Sequence, residues 1–160
     1  MLMLRRYGIW LLLPVAVLGG FALARLLGPP GTLPPAQRLP VVADCVLSAS
    51  ECRAALPGGG EVRLEITPRP IRLMQPLQVT ARVAGQQPVA LWVDIVGINM
   101  EMGLNRAQLL PSQAANGYGV WAGDLLLPLC AERRMQWEAR LMLEDADGRW
   151  ELPFRFETAR

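Results

Sequence analysis

The sequence predicts an all-β fold, an antiparallel sandwich of about seven strands, behind one N-terminal apolar segment. Three observations predict it. From Val62 onward, apolar and polar residues alternate with a period of two, which sends successive side chains to opposite faces of a strand. Turn-forming pairs such as Asn116-Gly117 and Asp147-Gly148 interrupt the alternation. Outside the N-terminus no 3.6-residue apolar period appears.

Residues 1–28, "MLMLRRYGIWLLLPVAVLGGFALARLLG", open with Arg5 and Arg6 and then run uncharged from Ile9 to Ala24. As a helix, Ile9 to Leu27 would reach roughly 28 Å at 1.5 Å per residue, enough to cross a bilayer, with Arg25 snorkelling at the far interface. Ala22-Leu23-Ala24 also fits a signal-peptide cleavage site, so the segment is a transmembrane anchor or a cleaved signal. Either device exports residues 28–160, because the positive charges stay inside. In a bacterium the segment would sit in the inner membrane and the rest of the chain in the periplasm. Residues 29–40 hold five prolines, a composition that favours an extended polyproline spacer. Residues 41–160 are the expected periplasmic domain.

Within that domain Cys45 and Cys52 bracket "CVLSASEC". In an oxidising compartment they are expected to bond. Closing so short a loop stabilises the fold by roughly 2.5 kcal/mol in the chain-entropy account. Val62, Leu64 and Ile66 form one clean apolar face, and Leu77, Val79, Ala81 and Val83 another. Val89 to Val96 is apolar almost throughout, as a central strand would be, with Asp94 as its interruption. "LNRAQLL" and "VWAGDLLL" flank the Asn116-Gly117 turn. The last hairpin alternates Met135, Trp137, Ala139, Leu141 and Leu143 on one side of its turn with Trp150, Leu152, Phe154 and Phe156 on the other, all expected to face one core. Short antiparallel strands at this spacing point to the immunoglobulin-like type of sandwich. Asp94 and Arg106 are expected to pair across neighbouring strands.

Composition narrows function. The chain has no histidine, which excludes Ser/His/Asp and Cys/His catalysis and any imidazole metal site. Every one of its 16 basic residues is arginine, so a phosphate-binding lysine and Schiff-base chemistry are excluded too. Those arginines nearly balance 14 acids, giving a net charge of +2 without long runs and no nucleic-acid footprint. The carboxylates Asp94, Glu101 and Asp124 have no nucleophile or glycine-rich cradle in sequence near them, and no enzyme is expected.

What remains is soft-ligand chemistry. "GINMEMGLNR" sets Met100 and Met102 two residues apart, on one face if the stretch is a strand. Cys130 in "LPLC" is left unpaired if Cys45 bonds Cys52, and Met135 stands five residues later. Thioethers and thiolates select Cu(I) over harder divalent ions, so these four residues form a candidate metal set. Each also has a packing alternative: methionine fills core gaps, Met135 belongs to the inward-facing series, and a free cysteine is often a small buried hydrophobe.

The membrane segment, the short extracytoplasmic β-sandwich, the "CVLSASEC" arm, "MEMGLNR", "LPLC" and "RMQW" together resemble small bacterial proteins of the FixH and YtkA-like group, over roughly residues 41–157. That resemblance implies copper handling and assembly of haem-copper oxidases. The partner would be a copper protein or an oxidase subunit, and the copper role would carry over to Met100, Met102, Cys130 and Met135. The absence of histidine restricts that role to Cu(I). The alternative is a metal-free interaction domain in which "INMEMG" docks onto a membrane complex.

Overall fold

A computed structural model describes residues 35–112, 117–146 and 148–159. The anchor or signal peptide expected at 1–28, the spacer up to residue 34, Asn116 and Asp147 lie outside the described residues. Pro35–Arg160 forms one compact unit. Among the described residues no helix is long and apolar enough to cross a membrane.

The unit is all-β. Its strands are β1 (Gln37–Arg38), β2 (Cys52–Ala55), β3 (Glu61–Thr67), β4 (Pro76–Ala84), β5 (Ala90–Gly97), β6 (Asn105–Pro111), β7 (Gly119–Leu126), β8 (Arg134–Glu144) and β9 (Arg149–Ala159). They form a single curled sheet in the order β1-β9-β8-β5-β6-β7-β4-β3-β2. Where about seven antiparallel strands were expected, nine are described, and the sheet is mixed because β1 runs parallel to β9. β1 falls inside the expected spacer, and neither it nor β2 is long enough to alternate visibly in sequence.

The curl is made by β6. Asn105 to Leu109 pair with β5, while Leu110 and Pro111 pair with β7. One strand therefore joins a leaf of β1, β9, β8 and β5 to a leaf of β7, β4, β3 and β2. Gly123 in β7 permits this crossing, since a β-carbon there would collide with the carbonyl oxygen of Gln108. Any larger residue would push the two strands apart.

The expected faces are the observed ones. Val62, Leu64, Ile66, Val79 and Ala81 are fully buried, and so are Val93, Ile95, Trp137, Ala139, Leu141 and Phe154. Trp150, at the start of β9, is only half-buried. Trp137 anchors the hairpin: its ring stacks on Phe156 at 6.3 Å, and its indole N–H donates to Thr158 Oγ1 at 2.9 Å. That bond satisfies the one polar group a buried tryptophan brings with it.

Between β1 and β2 the chain forms an arm along the β9 edge, with Val42 N–H donating to Pro153 O and Leu47 N–H to Arg155 O. Leu47 is fully buried, and the Cys45–Cys52 disulfide forms as expected, with a Cα separation of 5.6 Å. Glu51 then reaches Arg82 on β4 at 2.7 Å. The arm thus ties the two ends of the curled sheet.

The outer face of β8 and β5 is charged and closely paired. Arg106 holds Asp94 with two hydrogen bonds, 2.6 and 2.7 Å, across directly paired strands. Glu138 points outward as the alternation predicts, yet is 4% exposed. Arg38 and Arg140 cover it, donating at 2.9 and 2.8 Å. Burial pushes the Glu138 carboxyl up, but the hydrogen bonds from Arg140 and Arg38 prevail and hold it below its ordinary range.

Candidate methionine site

One end of the domain is made by the connections 68–75, 98–104 and 127–133. Register brings them together: β3 enters the first and β4 leaves it, Pro76 pairs with Leu126, and Gly97 pairs with Trp137. Two hydrogen bonds stitch the end, from Asn105 Nδ2 to Leu126 O and from Met74 N–H to Leu127 O, each 2.9 Å.

Met100 and Met102 lie in the 98–104 connection, outside any strand. Spacing alone suggested a shared strand face; β5 instead stops at Gly97 and the chain turns back over it. Asn99 fixes the turn. Its side-chain oxygen accepts from Gln136 N–H at 2.9 Å and its amide donates to Arg134 O at 3.1 Å, so a side chain continues the pairing with β8 that the backbone has left. Glu101 is turned onto its own loop, accepting from Gly103 N–H at 2.9 Å.

The turn brings the Met102 and Met135 side chains and the Met100 backbone to one point. A β-carbon on Gly97 would collide with the carbonyl oxygen of Met100 and with Met135 Cε, and would touch Met102 Cγ at 3.2 Å. Met135 is buried in the core, whereas Met100 and Met102 are half-buried against it. The site therefore has a buried floor and a partly exposed roof. Cys130 is free and buried in the 127–133 connection, with its thiol 3.9 Å from Glu132 O. The three atoms nearest that position all belong to methionines.

Around the site large apolar side chains are exposed beside the charged residues Arg72, Glu101, Glu132 and Arg133. Leu104 is 66% exposed, Met74 57% and Leu129 55%, with Ile98 and Leu126 also exposed. Sequence reasoning missed Gly97 and Asn99. A glycine closing an apolar run, followed by an asparagine, was the available signal for a strand end with close backbone approach.

Chemically, the groups nearest Gly97 are the Met100 carbonyl and carbons of the Met102 and Met135 side chains, which carry neutral thioethers. Among the described residues no group of three or more His, Cys, Asp or Glu side chains could hold a metal ion. Thioethers fit Cu(I), whereas the anionic or imidazole donors that divalent ions need are not gathered there.

Fold and site define an all-β unit with methionines gathered at one end. Comparisons of the chain with protein-family models, with curated proteins and with solved structures gave no match.

Proposed function

We propose that the chain is a membrane-tethered periplasmic binding and assembly module, not an enzyme, that holds Cu(I) at its methionine end. There it would present the ion to a copper protein or haem-copper oxidase subunit at the inner membrane. One observation carries this reading: Met102 and Met135 converge with the Met100 backbone at Gly97, within the end that exposes Leu104, Met74 and Leu129. The resemblance to FixH and YtkA-like proteins points the same way, and so does the export segment at residues 1–28. On this reading the two leaves are an immunoglobulin-like sandwich that β6 has fused into one sheet.

Titration of the purified full chain under reducing conditions tests it. Binding of one Cu(I), in competition with a Cu(I) chelator, supports the proposal; weak binding of Zn(II) and Cu(II) is expected beside it. A chain that never competes for Cu(I) contradicts it.

A second reading has an observation of its own. Met135 packs as an ordinary core residue, and the exposed leucines need no metal to be useful. Exposed apolar side chains gathered at one end suit a metal-free docking surface for a membrane complex. Absence of copper binding would favour that reading.

A further inference from the structure

β1 and β2 are the outermost strands of the sheet, and a groove of about 460 Å³ runs between the chain that follows β1 and β2 itself. Leu39, Val42 and Leu152 line one side; Arg53, Ala54 and Leu56 line the other. Leu56 and Leu152 belong to the buried core and give the groove an apolar floor. Its volume falls in the range of ligand sites, roughly 300 to 1,000 Å³. The two sides differ in their backbones. Leu39 N–H is spent on Glu151 O and Pro40 has no N–H to offer, so the first edge is blunted. The second is open. Leu56 N–H donates to Gly60 O at 3.1 Å, and antiparallel pairs alternate, so Leu56, Ala54 and Cys52 turn their backbones to β3 while Arg53 and Ala55 turn theirs outward. Among the described residues no strand lies beyond them.

Charge selects what could fill the groove. Arg53 is exposed, and among the described residues it makes no hydrogen bond or ion pair. Its cross-strand neighbour is another cation, Arg63, an arrangement that disfavours both. Glu61, whose charge Arg53 feels, is already held by Arg63 and Tyr118. An acid from outside would answer that open positive charge. We propose that the groove accepts an extended segment of a partner protein as an added strand on the outer edge of β2. Its backbone would pair with Arg53 and Ala55, and its apolar side chains, at every second position, would lie on Leu56 and Leu152. The alternate position beside Arg53 would carry a carboxylate. This site is separate from the methionine end and does not depend on the copper(I) reading.

The probes are a blocked peptide alternating valine and glutamate, Val-Glu-Val-Glu-Val, and its counterpart with lysine for glutamate, each added at millimolar concentration to the full chain. Amide exchange is read residue by residue. The Arg53 and Ala55 amides are expected to slow at least about tenfold with the glutamate peptide, because a free edge becomes a paired one. The glutamate peptide should bind at least about threefold more tightly than the lysine peptide, and Arg53→Glu should reverse that order. Ala55→Pro removes a donor from the open edge without taking one from the β2–β3 ladder, and should weaken binding at least about fivefold. The parent and Arg53→Glu decide the matter even if Ala55→Pro folds poorly. Amides of Arg53 and Ala55 that exchange unchanged, or equal affinity for the two peptides, overturn the proposal. Protection of the same amides that grows with protein concentration without peptide would put a second copy of the chain on the edge and overturn it too.

Discussion

The methyl group of Met135 lies where Gly97 would carry a side chain, so a core residue of β8 and the last residue of β5 share one small volume. Gly97→Ala collides with both the Met135 methyl and the Met100 carbonyl, so the Met135 side chain and the contact between Gly97 and the 98–104 backbone must both shift. Overpacking of this kind costs about 1 to 3 kcal/mol, to be read as a lower midpoint in urea. An unchanged midpoint would mean that the methionines do not close over Gly97.

Among the described residues Trp137 is the largest fully buried side chain, and its indole N–H is satisfied by Thr158. Trp137→Ala is expected to cost about 3 to 5 kcal/mol in denaturant titration. Trp137→Phe restores most of the volume but orphans the Thr158 hydroxyl, and is expected to cost less, about 1 to 3 kcal/mol. If Trp137→Ala shifts stability by under about 1 kcal/mol, the inward face of the hairpin has been misassigned.

Acid should weaken the domain through Glu138. Its carboxyl is held below the ordinary value when folded, by hydrogen bonds that outweigh its burial. The unfolded chain therefore binds the proton more readily. The stabilisation is fully present above the ordinary carboxylate pKa near 4.5 and is lost as pH falls through the lower folded value. Glu138→Gln should destabilise the chain at pH 7 and make its stability less steep between about pH 5 and pH 3 than the parent's. Parallel pH profiles for the two proteins would contradict this.

The cysteines give a chemical count. Alkylation of the unfolded, unreduced chain should label one thiol, Cys130, and alkylation after reduction should label three. Replacing Cys45 and Cys52 together with alanine should cost roughly 2.5 kcal/mol, because the closed loop no longer restricts the unfolded chain. A second reactive thiol before reduction would show that the arm is not closed.

Strands β3, β4, β8 and β9 were legible in the sequence because each buries one face, and a buried face writes itself as alternation. The Asp94–Arg106 pair was legible for a related reason, two opposite charges set within apolar strands. β1 was not legible, because two residues in a proline-rich stretch carry no period; their pairing with Trp150 and Glu151 is set by a contact far along the chain. The burial of Glu138 was not legible, since it comes from Arg38 on β1 together with Arg140 two residues along its own strand. At the candidate site the residue types were legible and the geometry was not. Two methionines spaced by one residue suggest a shared strand face, but Asn99 captures the β8 backbone and turns that stretch into a loop. Their meeting with Met135 then depends on a side chain that Gly97 does not have.

The central claim is that the methionine end holds Cu(I), and replacing Met100 and Met102 together with leucine tests it most directly. Leucine keeps the volume and apolarity nearly constant, so each change should alter folding stability by less than about 1.5 kcal/mol. The measurement is competition for Cu(I) between the full chain and a chelator, parent and double variant side by side. The expected result is a parent that competes and a variant that has lost nearly all of that affinity while remaining folded. A variant that competes as well as the parent would contradict the claim.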